Sequence, residues 1–115
     1  MRFRIRGLLW HQGESDSKAS AEKHRQRLEQ FAARLREDLG APALPIVVGE
    51  VFDNGKRDSV RAALRAFSEA DPLSGLVLSE GLTTWDPGTH FDAASQLVLG
   101  QRYAEAILKL QTATP

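Results

Sequence analysis

The pattern of apolar positions changes period several times along the chain, and the changes divide it into three strand-then-helix units. A run rich in apolar and aromatic residues, Phe3 to Trp10, predicts a first strand. From Ser17 to Leu39 the residues Leu28, Phe31, Ala32, Leu35 and Leu39 fall at helical spacing, and Gly40 supplies a stop. Pro42 and Pro45 punctuate a loop. Ile46 to Val51 then reads as a short buried strand that runs out at the turn-forming Asp53-Asn54-Gly55. Val60, Leu64 and Phe67 predict a second helix over Ser59 to Ala70, closed by Asp71-Pro72. Gly75 to Ser79 is the third strand. Asp92 is the expected N-cap of a last helix, with Ala94, Leu97, Val98, Ala104, Ile107 and Leu108 expected on its inner side.

Strands that alternate with helices imply parallel pairing through right-handed crossovers. The expected fold is therefore α/β, a three-layer sandwich with a small parallel sheet, as a single domain over residues 1–115. In such a sheet, ligands bind outside the carboxyl ends of the strands. Two polar turns should meet there. One is Trp10-His11-Gln12-Gly13-Glu14-Ser15-Asp16, between the first strand and the first helix; the other is Asp86-Pro87-Gly88-Thr89-His90-Phe91-Asp92, between the third strand and the last helix.

Composition narrows the function classes. The 115 residues are 42% hydrophobic, enough for a modest core. Lys plus Arg and Asp plus Glu each number 15, so no net field favours nucleic acid or an anionic membrane. Cysteine is absent, which excludes disulfides and thiolate metal sites but says nothing of compartment. The amino end carries Arg2, Arg4 and Arg6 with no apolar stretch long enough for a signal or a membrane span, so a soluble chain is expected. No strand is followed by a glycine-rich phosphate loop of the needed pattern, which weakens a nucleotide-binding reading.

The segments Gly7-Leu8-Leu9-Trp10-His11-Gln12-Gly13-Glu14-Ser15-Asp16, His90-Phe91-Asp92-Ala93-Ala94-Ser95-Gln96 and Gly100-Gln101-Arg102-Tyr103-Ala104 resemble the carbohydrate esterase family 6 branch of the SGNH hydrolases, which includes sialate O-acetylesterase-like proteins. The resemblance spans nearly the whole chain but only the later part of that family's domain. It implies a flavodoxin-like strand order and a serine esterase that removes acetyl groups from carbohydrates such as acetylated xylan, with no metal or organic cofactor. The family's nucleophilic serine lies in an early Gly-Gln-Ser-Asn-like block, and no such block occurs here. The matching positions imply His90 as general base, Gln12 with Gly13 near the oxyanion, and Glu14 as an orienter of the histidine. Because the first strand begins almost at Met1, the chain is expected to be cut on its amino side.

The physical argument for these roles is independent of the resemblance. An ester hydrolase must deprotonate a hydroxyl, and an imidazole held by a carboxylate does so, contributing about 10²- to 10⁴-fold in rate. His90 suits that task, and Asp86, four residues earlier in a Pro-Gly turn, can fold back onto it. The family more often has its acid three residues before the histidine, where this chain has Pro87. Asp86 and Glu14 therefore both stand as orienters. A Gln12 amide in an oxyanion site would be worth roughly 3 kcal/mol.

Blander roles fit the neighbours. Asp92 reads as a helix cap, His24 as a structural residue on the first helix, and Asp16 and Ser17 as caps of that helix. His11 either shapes the pocket or packs, and Trp85 is either a sugar platform or a rim residue. Residues 22–37 form a solvated face with i,i+4 pairs. Ser15 is the only good nucleophile candidate within the chain, with a hydrogen-bonding role in the turn as the alternative. Two function classes follow: an esterase using Ser15 or a serine from another chain, and a catalytically incomplete fragment. Both predict a homo-oligomer, formed through the apolar edge that the Ile5 to Trp10 strand would expose.

Overall fold

The computed structural model describes residues 2–15 and 18–113. Six elements follow in the expected alternation: β1 Leu8–Trp10, α1 Ala21–Asp38, β2 Ile46–Gly49, α2 Asp58–Ala70, β3 Ser74–Val77 and α3 Ala93–Ala113. The strands form one parallel sheet in the order β1-β2-β3, with Leu8 opposite Ile46 and Ile46 opposite Ser74. The fold is α/β, with helices on both faces of a small sheet.

Alternation along the strands distributes the core. Ile46 and Val48 face one side, where they pack with Leu28 and Ala32 of α1 and Leu64 and Phe67 of α2. Val47 faces the other, against Leu99 and Tyr103 of α3 and the loop residues Leu82 and Phe91. All four residues of β2 are buried, because β2 is central and covered on both faces.

Three sequence expectations are corrected. The first strand is much shorter than Phe3 to Trp10, since only Leu8–Trp10 finds a partner in β2. The first helix starts later than expected, at Ala21, because the Ser20 hydroxyl accepts the Lys23 amide at 3.1 Å and caps it. The expected caps Asp16 and Ser17 lie outside the described residues.

The third correction concerns the face of α3. Leu97 is 78% exposed, and Val98, Ala94, Ala104 and Leu108 are also on the surface, whereas Ser95, Leu99 and Tyr103 are buried. Only Ile107 of the expected set packs against the core. The inner face carries two residues with hydroxyls, Ser95 and Tyr103. An apolar-spacing argument passes over both, and they enter the core because their polar atoms find partners there. Asp92 behaves as predicted: its Oδ1 accepts the Ser95 amide at 2.9 Å, the geometry of a helix cap.

Candidate functional site

Both polar turns arrive at the carboxyl edge of the sheet. A cavity of about 690 Å³ opens there, lined by His11, Glu14, Ser15, His90, Gln96 and Tyr103 among others. The hairpin that carries His90 is braced by its own backbone. Thr84 bridges to Phe91, the Trp85 amide donates to the His90 carbonyl at 3.1 Å, and Gly88 turns the chain at a positive φ of 95°. A β-carbon at Gly88 would sit 3.0 Å from that of Asn54, so the turn needs glycine for both conformation and space.

This hairpin folds Asp86 back onto His90. Asp86 Oδ1 accepts the backbone amides of Thr89 and His90, each at 2.9 Å, while Oδ2 lies 2.5 Å from His90 Nδ1. The amide of His90 first, then its ring and the Thr89 amide, hold the Asp86 carboxyl down at about 2, below its ordinary 3.8. A carboxylate so placed keeps the proton on Nδ1 and directs Nε2 outward as an acceptor. The His90 side chain is 65% exposed, and Trp85 stacks on it with ring centres 5.6 Å apart and planes 19° apart. Trp85 therefore covers one face of the imidazole and is not among the residues that line the cavity.

Glu14, the other acid expected to orient His90, approaches a different histidine. Its Oε1 lies 3.9 Å from His11 Nε2, although it shares the cavity with His90. The protonation of His11 follows from its neighbours. Tyr103 has one hydroxyl hydrogen, which it donates to the Trp10 carbonyl at 2.8 Å. The 3.0 Å contact with His11 Nδ1 must then use the Tyr103 oxygen as acceptor, so Nδ1 carries the ring hydrogen. Burial lowers the His11 pKa, with Glu14 pulling the other way. Burial also pushes the Tyr103 phenol up, and Glu14 adds to that. Neutral His11 thus has a bare Nε2, buried without a hydrogen-bond partner, and no hydrogen there to offer an oxyanion.

Gln12 and Gly13 turn away from the His90 cavity. They border a separate recess of about 250 Å³ with Trp10, His24 and Val60, on the α1–α2 side of the sheet. Gly13 has a φ of 141°, and a β-carbon on it would lie 2.6 Å from Val60 Cγ2, so it closes the turn against α2. Ser15 is exposed and does line the cavity. Sequence reasoning placed Tyr103 in a segment that resembles the family but gave it no part in the site. Among the described residues, no group of three or more His, Cys, Asp or Glu side chains gathers as a metal would require.

Fold and site together define the class: an α/β protein with a carboxylate-held histidine at the carboxyl edge of a parallel sheet. Comparison with known proteins supplies the family. Residues 1–109 match the family model described as carbohydrate esterase, sialic acid-specific acetylesterase, and the chain belongs to that family. A probable carbohydrate esterase of Arabidopsis thaliana, At4g34215, is 33% identical over 109 residues, covering 90% of this chain and 40% of the relative. The crystal structure of the Arabidopsis thaliana protein At4g34215 superimposes with a TM-score of 0.83 at 30% identity, over 92% of this chain and 45% of that one. The chain therefore spans less than half the length of the relative it matches.

Proposed function

We propose that this chain supplies the general base and its orienting acid for a carbohydrate acetylesterase, acting on acetyl or short acyl esters of sugars such as acetylated xylan. The observation that carries this is the 2.5 Å contact between Asp86 Oδ2 and His90 Nδ1 beside the cavity. His90 Nε2 takes the proton of an attacking hydroxyl as its oxygen bonds to the acyl carbon. Asp86 stabilises the imidazolium so formed, and the proton passes to the departing sugar oxygen as the acyl–oxygen bond breaks. Water, deprotonated in turn by His90, then attacks the acyl carbon; the bond to the nucleophile's oxygen breaks, that oxygen takes the proton back from His90, and the acid leaves. The chemistry calls for no metal or organic cofactor.

The attacking hydroxyl comes from Ser15 or from a serine outside this chain. Ser15 is favoured by its place in the cavity lining. A serine from elsewhere is favoured because no hydroxyl among the described residues is hydrogen-bonded to the His90 ring, whose one bond goes to Asp86. The second reading, a catalytically incomplete fragment, rests on that same observation.

Hydrolysis of p-nitrophenyl acetate by the purified chain, compared with Ser15→Ala and His90→Ala, separates these readings. Loss in both variants identifies a self-contained esterase using Ser15. Loss in His90→Ala alone places the nucleophile elsewhere. Hydrolysis that neither change affects sinks the assignment of His90 as base in this chain, and the incomplete-fragment reading stands.

A further inference from the structure

Arg57 stands at the start of α2, directly before Asp58, where the helix dipole disfavours a cation. It is nonetheless buried, at 6% exposure, and among the described residues no carboxylate lies within ion-pair distance of it. Burying a charge against neutral groups costs stability unless its hydrogens are all directed to acceptors. The acceptors of Arg57 are specific. Nη1 donates to the Gly88 carbonyl at 2.7 Å and to the Phe52 carbonyl at 3.3 Å, and Nη2 donates to Thr89 Oγ1 at 3.0 Å.

Gly88 and Thr89 form the tip of the hairpin between Asp86 and His90. The Thr89 amide is one of the donors to Asp86 Oδ1. We infer that Arg57 is a positioning residue, a forked clamp that fixes the Gly88–Thr89 tip from the β2–α2 loop and so holds Asp86 in register with His90. This deepens the esterase reading and rests on it for its functional meaning. Two adjacent acceptors on one turn suit the planar guanidinium, which spans both at once; a lysine ammonium is a single point donor. The clamp also explains how a hairpin outside the sheet keeps a fixed geometry relative to it. Its own bonds set its internal shape, and Arg57 ties its tip to an element packed on the core.

Amide hydrogen exchange in the folded chain tests the clamp without requiring turnover. The Thr89 and His90 amides, both donors to Asp86 Oδ1, report on the hairpin, and the β2 amides of Val47 and Val48 report on the global fold. In Arg57→Gln the two hairpin amides should exchange about tenfold faster, the equivalent of one hydrogen bond, with β2 unchanged. Arg57→Lys should recover only part of that protection. Thr89→Val, which removes the Nη2 acceptor and leaves the buried charge in place, should show a smaller acceleration confined to the same amides, and it decides the matter if Arg57→Gln does not fold. Unchanged hairpin exchange in the folded variants, or acceleration shared equally by β2, overturns the inference. Neither result depends on p-nitrophenyl acetate hydrolysis, so a failed clamp is distinguishable from a failed esterase assignment.

Discussion

Asp86 is the most constrained group in the candidate site, because the Thr89 and His90 amides and the His90 ring all reach its carboxylate. Those contacts hold its carboxyl at about 2, so its contribution to hairpin stability is complete above the ordinary value of 3.8 and is lost as pH falls through about 2. Carbon-detected titration of the Asp86 carboxyl should show that low midpoint; an ordinary midpoint would mean the contacts do not form in solution. Asp86→Asn should keep the fold and, on the proposed esterase reading, lower p-nitrophenyl acetate turnover by about 10²-fold or more. His11 behaves in the same sense. Its pKa is lowered from 6.5, so the fold is most stable above that value and weakens as pH falls and the buried ring must take a proton. Tyr103→Phe removes the hydroxyl shared by the Trp10 carbonyl and His11 Nδ1 and should cost roughly 1 to 3 kcal/mol in urea unfolding. Of these residues, His90, Asp86, Glu14 and His11 were visible in the sequence as polar groups in turns. Their pairing was not, because Asp86 could fold back from the same turn and Glu14 could reach His90 from another strand end, and only the hairpin's path decides between them.

Among the elements, the three strands and three helices were legible because each has a period and a stop signal of its own. Val60, Leu64 and Phe67 predicted the inner face of α2 correctly, and all three are buried. Phe67, 1% exposed between α1, α2 and the sheet, should cost about 3 to 5 kcal/mol when changed to Ala, measured by chemical denaturation. The face of α3 was not legible. Leu97 and Leu108 drew the reading outward, while Ser95 and Tyr103 reach partners on the loop residue Thr83 and on the residue that ends β1. Hydrogen-bonding opportunity, which periodicity does not encode, outweighed side-chain apolarity there.

For the molecule as a whole, β1 is left at the edge of the sheet with its α3-side residue Leu9 55% exposed. Exposed Leu97 and Leu108 add apolar surface on α3. An open apolar edge invites pairing, so the chain should self-associate with rising concentration in sedimentation velocity, and Leu9→Lys should shift it toward monomer. A monomer throughout would remove the edge-pairing expectation. The sequence by itself determined the β-α alternation, the parallel sheet and the placing of two polar turns at one edge. These follow from local periods and from the rule that parallel strands need crossovers. The tertiary structure decided which carboxylate meets His90, that Gln12 and Gly13 face the opposite side of the sheet, which side of α3 is buried, and that Arg57 reaches the His90 hairpin. Apart from the four-residue step from Asp86 to His90, these depend on contacts between residues whose separation along the chain carries no signal. Packing and hydrogen-bond satisfaction choose among them only once the chain has closed.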